Sequence, residues 1–330
     1  MEQLGNGRID MKLFIGTHYT YKGEHQVPQF YIVDIDELFD VRLLHVSNKG
    51  NRMVQWGFAW DKDTLYSAHR RKGVVECDNK ANIKAEHEVE RFEGSEANPT
   101  VDPIHIGVMF GAPHQKLKVG RKIYIADSGH NEVKVFDIDT KELVARKTFE
   151  GLIWVNTLNY IDGYLYIVAH NMGQPSALIK TDLDLNVIET IENIGYAAHN
   201  VWSMDGDLWT CDSSRGYLSS IDGTQEIDVG EFPRGVAMNE DYLIVGITQQ
   251  RNSITTYPGR RSTPFENGIS NGGLAVINRR TLEVEKFIDL QDLLGHNVVN
   301  VFEVRLMDER DLALHLDDDN TPFSLDLLHE

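Results

Sequence analysis

Polar residues that could bind or activate a small molecule recur at two regular positions along this chain of 330 residues. One set opens short apolar segments, and the other set closes the apolar segment that follows. The opening residues are Gln55 or Trp56, His114, Asn156, His199, Arg234 and Glu303, and the closing residues are His69, Asp127, His170, Asp212, Thr248 and His315. Imidazoles serve as general bases and metal ligands, and guanidinium groups suit carboxylate or phosphate. The two sets therefore predict a site for a polar or anionic small molecule.

Residue type assigns a role to each candidate in this site. The predicted catalytic residues are His114, His199 and His170. The predicted ligand-binding residues are Arg234, Asn156, Asp127, Asp212, Trp56 and Trp154. His114, His199 and Glu303 are the predicted metal ligands, and the cofactor, if the site is a metal centre, is a divalent ion. Each role has a structural alternative: Arg234 could form a salt bridge between repeats, and the tryptophans could pack in the core.

Equal spacing shows that these residues belong to a repeat. An apolar residue lies nine positions after each of five opening residues: Ile123 after His114, Leu165 after Asn156, Leu208 after His199, Leu243 after Arg234 and Leu312 after Glu303. The pairs Asp162-Gly163 and Asp205-Gly206 lie between β-rich runs, where they predict tight hairpin turns. Each copy is therefore predicted to be a β-hairpin.

The repeat is larger than a hairpin, because a third and often a fourth strand-like run follows most copies. Four antiparallel strands in about 40 residues are typical of a β-propeller blade. The first runs near Lys12 lack an opening strand, and the last copy, Glu303–His315, precedes the end of the chain. We therefore predict an all-β protein: one closed β-propeller of six blades, with seven as the alternative. The N- and C-terminal strands meet to close the ring, and one domain covers residues 1–330, with residues 1–11 as a flexible extension.

The propeller interpretation places the polar residues together. The first strand of a blade lines the central channel and the second strand runs antiparallel to it. The start of the first strand and the end of the second therefore lie at the same end of the channel. Both sets of polar residues are predicted to gather at this rim.

Composition limits the partners and the compartment. The chain has 51 acidic and 32 basic residues, a net charge of −19, which disfavours nucleic acid and anionic membranes as partners. Its two cysteines, Cys77 and Cys211, form no disulfide framework. We therefore expect a cytoplasmic protein. The chain contains no nucleotide-binding loop, dinucleotide fingerprint or HExxH metal motif that would name a reaction.

Three functions remain open at this stage. The first is an enzyme, such as a metal-assisted hydrolase, lyase or isomerase. The second is a non-catalytic propeller that binds a protein through the long segments at residues 80–113 and 249–271. The third is a sensor that binds a ligand without chemistry, which a deep polar pocket lacking a metal would favour.

The chain also resembles an uncharacterised bacterial family of β-propellers of unknown function. The resemblance extends from Lys12 to Met307 and is best over residues 198–222 and 232–251, with His199, the Asp205-Gly206 turn and Arg234-Gly235. The chain departs from the family pattern at residues 154–157, although Asn156 is kept. The resemblance implies the fold and the rim, but no reaction. A looser similarity to six-bladed lactonase-like and strictosidine-synthase-like propellers implies a channel ion, with Asn156, Asp127, Asp212 and Glu303 as ligands.

Overall fold

The structure is a computed structural model, and it describes residues 11–18, 28, 30–47, 54–69, 73–87, 113–151, 154–171, 173–248, 272–294 and 300–307. These residues form six four-stranded antiparallel sheets. The first three strands of the chain are β1 (Met11–His18), β2 (Phe30–Ile35) and β3 (Val41–Val46), which belong to blade 1. Blade 2 contains β4 (Val54–Asp61), β5 (Thr64–His69), β6 (Gly73–Cys77) and β7 (Ile83–His87). Blade 3 contains β8 (Pro113–Val119), β9 (Lys122–Asp127), β10 (Glu132–Asp137) and β11 (Glu142–Thr148).

The second half of the ring repeats this order. Blade 4 contains β12 (Val155–Ile161), β13 (Tyr164–Ala169), β14 (Pro175–Thr181) and β15 (Val187–Tyr196). Blade 5 contains β16 (His199–Met204), β17 (Asp207–Asp212), β18 (Tyr217–Ser220) and β19 (Glu226–Asp228). Blade 6 contains β20 (Phe232–Met238), β21 (Tyr242–Thr248), β22 (Gly273–Asn278) and β23 (Val284–Asp289), followed by the short helix α1 (Leu290–Leu294). The last strand, β24 (Asn300–Leu306), is the first strand of blade 1.

The ring closes through this last strand. β24 pairs antiparallel with β1, and Leu13 lies opposite Leu306. The innermost strands β24, β4, β8, β12, β16 and β20 contact one another in an unbroken circle. Six blades and closure by the two ends of the chain are therefore confirmed. The predicted hairpin Glu303–His315 assigned the wrong second strand to this blade, because the strand that pairs with β24 is β1. Residues 308–330 lie outside the described part of the chain.

Blade-to-blade packing forms the core. Six hydrophobic clusters lie among the described residues, one at each interface between neighbouring blades. Between blades 1 and 2, for example, the rings of Phe14 and Phe30 stack 4.7 Å apart, and Phe58 meets Phe30 edge to face. The middle strands are buried on both faces, whereas β11 and β15 at the circumference are largely exposed. Each sheet thus buries its apolar residues against two neighbours, and no single central core is needed.

The hairpin turns have the geometry that their sequences predict. Asp162 and Gly163 have φ values of 50° and 87°, and Asp205 and Gly206 have values of 53° and 94°. Two successive residues with positive φ are the mark of the type I′ turn, whose twist matches the strands that it joins. These turns lie at the opposite end of their strands from the polar opening residues.

Candidate functional site

A β-bulge interrupts every inner strand near the polar end of the channel. The pairing of inner and second strands changes register after Pro113, Val155, His199 and Pro233, and it does so again in blades 1 and 2. A bulge adds an unpaired residue and turns the neighbouring side chains out of the regular alternation. The bulges carry His114, Asn156, Asn200 and Arg234, so the same local distortion recurs in successive blades at the level of the predicted rim.

Five of the predicted opening residues line one cavity of about 220 Å³. They are His114, Asn156, His199, Arg234 and Glu303. They come from five different inner strands, β8, β12, β16, β20 and β24. Pockets for drug-sized ligands measure roughly 300–1,000 Å³, so this cavity suits a smaller molecule. The side chains of Gln55, Trp56 and His69 lie outside the described residues, as does His315.

His114 is oriented by a serine. Its Nδ1 lies 2.6 Å from the Oγ of Ser128, and that hydroxyl donates to the carbonyl oxygen of Val155 at 2.5 Å. Because the single hydroxyl proton is used on Val155, Ser128 accepts a hydrogen bond from His114, and Nδ1 of the imidazole carries the proton. The arrangement also joins blade 3 to the inner strand of blade 4.

His199, two blades further along the ring in blade 5, is held in a similar way. Its Nδ1 lies 2.7 Å from the carbonyl oxygen of Ala197 and 3.0 Å from the Oγ of Ser213. A carbonyl can only accept, so Nδ1 of His199 carries a proton as well. Ser213 in turn donates to the carbonyl of Pro233 at 2.5 Å. Burial, followed by the positive charge of Arg234, lowers the pKa of His199 well below its usual range, so the ring is neutral at pH 7.

Asn156 sits between the two histidine strands. Its Oδ1 accepts a hydrogen bond from the hydroxyl of Thr157 at 3.1 Å, and that hydroxyl accepts from the backbone N–H of Asn200 at 3.2 Å. Asn200 is itself in the left-handed region, with a φ of 59°. Thr157 and Asn200 line the cavity too. They anchor the amide of Asn156 to the neighbouring blade.

The described charges around the cavity sum to a positive value. Arg234 lines it and places its guanidinium 5.1 Å from the centre of the Phe232 ring, a cation–π contact. Among the described residues, the lining contains two guanidinium groups, Arg234 and Arg305, and one carboxylate, Glu303. With His199 neutral, these three groups give a net positive charge, although the whole chain has a net charge of −19.

Glu303 links blades and is occupied by protein groups. One carboxylate oxygen accepts the backbone N–H of Phe58 at 3.3 Å, and the other pairs with Arg305. Arg305 lies over the ring of Trp60 and donates to the carbonyl of Lys116 at 2.9 Å. Among the described residues, no three His, Cys, Asp or Glu side chains are close enough together to hold a metal ion. The structure thus does not bring His114, His199 and Glu303 together as the predicted metal centre.

His170 and Trp154 lie beside the cavity and form no part of its described lining. The ring of His170 contacts Trp154 at 5.8 Å and His199 at 5.1 Å between centroids, while Trp154 meets His114 at 6.4 Å. Burial lowers the pKa of His170 to about 3, with a further contribution from Arg234. The rings of His114, Trp154, His170 and His199 thus form a continuous row, in which Trp154 and His170 contact the two imidazoles that line the cavity.

Asp127 and Asp212 belong to polar networks outside the cavity lining. Asp127 pairs within blade 3, whereas Asp212 links blade 5 to blade 4. Asp127 is fully buried and pairs with Lys134 and His130, each at 2.8 Å. Asp212 accepts the backbone N–H of Tyr196 at 2.9 Å and pairs with Arg215 at 3.2 Å. Neither lines the cavity. The second strand lies one strand further from the axis than the inner strand, and the side chains of Asp127 and Asp212 there contact protein groups outside the cavity lining.

Sequence reasoning missed the residues that hold the histidines. Ser128 and Ser213 each come five residues after an anchor of the repeat, Ile123 and Leu208, and each follows an aspartate. Thr248 holds the same position in blade 6, where its hydroxyl donates to the carbonyl of Val301 at 3.1 Å. The interval of five residues after the anchor was thus the sequence signal that could have pointed to Ser128, Ser213 and Thr248.

The fold and the rim define the protein as a six-bladed β-propeller with a polar, positively lined channel cavity. No family model and no curated protein matches the chain. A chain in the crystal structure of a nidogen–laminin complex is similar in fold, with a TM-score of 0.56, 10% identity, and coverage of 90% of this chain and 98% of that one. A protein of unknown function from Bacteroides caccae also has a TM-score of 0.56 and 10% identity, over 91% of this chain and 100% of that one.

At 10% identity these similarities establish the six-bladed fold and nothing about ligand or reaction. Within the described residues, no helix has the length and apolar character needed to span a membrane.

Proposed function

We propose that this propeller binds a small organic anion in the channel cavity, with Arg234 as the anchor for its carboxylate or phosphate group. One observation carries the proposal: four blades each contribute a polar side chain, His114, Asn156, His199 or Arg234, to the same cavity. A ligand placed there would meet groups fixed on rigid strands, an arrangement that suits specific binding.

Charge supports an anionic ligand over a neutral one. In the described lining Glu303 and Arg305 pair with each other, and Arg234 adds a further positive charge. A guanidinium can hold a carboxylate or phosphate through two parallel hydrogen bonds. The proposal is limited to binding, and among the described residues no His, Cys, Asp or Glu side chains form a cluster that could hold a metal ion.

The test is a binding measurement on a defined panel. Carboxylates and phosphate esters of three to six carbons are compared with neutral polyols by thermal shift and then by isothermal titration calorimetry. We expect carboxylates or phosphates to bind, and polyols to bind weakly or not at all. The variant Arg234→Gln should weaken anion binding by at least about 30-fold, because it removes a charged hydrogen-bond donor from a desolvated site.

Arg42→Gln is the matched control, because it makes the same charge change on a side chain that is 69% exposed on the outer strand β3. It should leave affinity unchanged. Equal anion binding by wild type and Arg234→Gln, or no binding of any anion by the wild type, would contradict the proposal.

A further inference from the structure

The outermost strands of blades 2, 3, 4 and 6 each contain a β-bulge beside the turn that precedes the strand. At this bulge the pairing with the third strand skips one residue of β7, β11, β15 or β23. The skipped residues are Lys84, Val144, Ile188 and Glu285. A bulge leaves its extra residue unpaired and changes the direction of its side chain. Because the four positions are equivalent, their residue types can be compared directly.

Residue type at the bulge separates blades 3 and 4 from blades 2 and 6. Lys84 and Glu285 are charged and exposed, as is usual at the edge of a sheet. Val144 and Ile188 occupy the same position with apolar side chains that are 47% and 53% exposed, and Val187, beside Ile188, is 48% exposed. Blades 3 and 4 are neighbours in the ring, because their inner strands β8 and β12 contact each other. Two adjacent edges of the molecule therefore each expose an apolar group.

The charged residues that follow the bulge have opposite signs on these two strands. In β11, Arg146 and Lys147 lie two and three positions after the bulge residue. In β15, Glu189 and Glu192 lie one and four positions after it. All four charged side chains are exposed. Measured from the bulge, the basic pair of blade 3 thus falls between the two carboxylates of blade 4, so the two edges are complementary in charge.

We propose that blades 3 and 4 form a self-association surface, on which blade 3 of one copy packs against blade 4 of a second copy. A twofold axis parallel to the channel and passing between the two blades brings the edges together in this way. The axis keeps residues at the same height along the channel, so Val144 of each copy faces Ile188 of the other. Each contact then occurs twice, as in any isologous dimer. A second copy suits this surface because both complementary halves lie on one chain.

The association itself is tested by sedimentation velocity of the wild type from about 1 μM to about 500 μM. We expect a monomer–dimer equilibrium with a Kd in the micromolar range, as for other small interfaces. Ile188→Asp should weaken the dimer at least about tenfold, because it places a carboxylate in each apolar contact. Leu38→Asp is the matched control, since Leu38 is 73% exposed in the turn between β2 and β3, and it should leave the Kd unchanged. A wild type that stays monomeric throughout this range would refute the proposal.

The pairing of blade 3 with blade 4 is tested by two charge-reversed variants. One variant carries Arg146→Glu and Lys147→Glu, and the other carries Glu189→Lys and Glu192→Lys. Each variant alone would place like charges across both contacts of a dimer, so it should associate at least about tenfold more weakly than the wild type. Mixed in equal amounts, the two variants should form a heterodimer of about wild-type affinity, because opposite charges then meet at both contacts.

A control variant reverses two basic residues on other outermost strands. Lys84→Glu combined with Lys286→Glu changes exposed side chains of blades 2 and 6 and should dimerise as the wild type does. Wild-type affinity in either charge-reversed variant alone, or a mixture of the two that stays monomeric, would overturn the assignment of the interface. If a charge-reversed variant does not fold, Val144→Asp and Ile188→Asp still decide the question, because an unchanged Kd in both would refute the surface.

Discussion

His170 and His199 meet edge to face across the boundary between blades 4 and 5, with their ring centroids 5.1 Å apart. Both are buried, and burial lowers the pKa of each imidazole, to about 3 in the case of His170. Protonating either ring in the folded protein would put a positive charge beside the other ring and near Arg234. The charge of Arg234 also contributes to the lowered pKa of both histidines. The pair is therefore stable only in its neutral form.

Acid should destabilise the fold through these rings. In the unfolded chain a histidine takes up a proton below about pH 6.5, whereas the folded chain resists protonation down to about pH 3 at His170. The stability contributed by neutral His170 is thus present at neutral pH and is lost as pH falls below about 6.5. From pH 7 to pH 5 the loss is about 2 kcal/mol for this histidine, measured by urea unfolding. His170→Gln should flatten this pH dependence.

His130 offers a control of opposite sign. Its hydrogen bond to Asp127 raises its pKa, so its contribution is present at low pH and is lost as pH rises through the folded pKa. His130→Gln should make the loss of stability on acidification steeper. If His170→Gln and His130→Gln gave the same pH dependence as the wild type, the burial account of these rings would be refuted.

The buried pair Asp127 and Lys134 should matter for folding and not for binding. Lys134 is 1% exposed, and its Nζ lies 2.8 Å from an oxygen of a fully buried carboxylate. Lys134→Met leaves Asp127 without this partner and should cost about 3 kcal/mol or more of unfolding free energy. Adding Asp127→Asn should recover part of it, and the affinity for the best anion should stay within twofold.

The exposed pair Arg42–Asp34 provides the comparison for this prediction. Arg42→Met should cost less than about 1 kcal/mol, because exposed ion pairs contribute little. A loss of anion affinity in folded Lys134→Met would instead support the prediction that Asp127 takes part in ligand binding.

Gly235 permits close contact between blades 6 and 1. A Cβ at this position would lie 2.5 Å from the backbone nitrogen of Val304 and 2.7 Å from the carbonyl carbon of Glu303. Because both obstacles are backbone atoms, Gly235→Ala should cost at least about 2 kcal/mol. At Gly206, with a φ of 94° and open space around it, alanine should cost only about 1 kcal/mol of conformational strain. Thermal or urea unfolding of the two variants checks the order, and equal costs would contradict the contact.

A separate peptide should be able to replace the closing strand β24. A chain shortened to residues 1–298 loses β24, which exposes the edge of β1 and part of the blade 1–6 core, so it should unfold without cooperativity or aggregate. A peptide spanning residues 298–308 should restore a cooperative transition. The same peptide with Val301→Asp and Val304→Asp should not, because both valines are buried. Cooperative unfolding of the shortened chain alone would refute this view of closure.

Local sequence signals predicted the hairpins and the rim but not the pairing of distant segments. Asp162-Gly163 and Asp205-Gly206 encode their turns directly, since few other residues adopt two positive φ angles in succession. The partner of β24 is β1, nearly the whole chain away, and no local spacing identifies that partner.

For a similar reason, the sequence could not show which of the predicted rim residues line the cavity. His114 and Asp127 were equivalent as polar residues at the rim, yet one lines the cavity and the other pairs with Lys134. The bulges that turn His114, Asn156 and Arg234 toward the cavity leave no residue signature, because they arise from the register between strands. Glu303 likewise looked like a metal ligand until its partner Arg305 was located.

The pairing of β24 with β1 also sets how the ring responds to mechanical load. Leu13 lies opposite Leu306, and the N–H of Met307 reaches the carbonyl of Lys12, so Met11 and Met307 leave the sheet at the same end. A force that pulls Met11 and Met307 apart loads the hydrogen bonds of this β1–β24 seam one after another, in the unzipping direction. It does not load them together in shear. Tension applied between Met11 and Met307 would therefore open the ring that encloses the cavity at this seam.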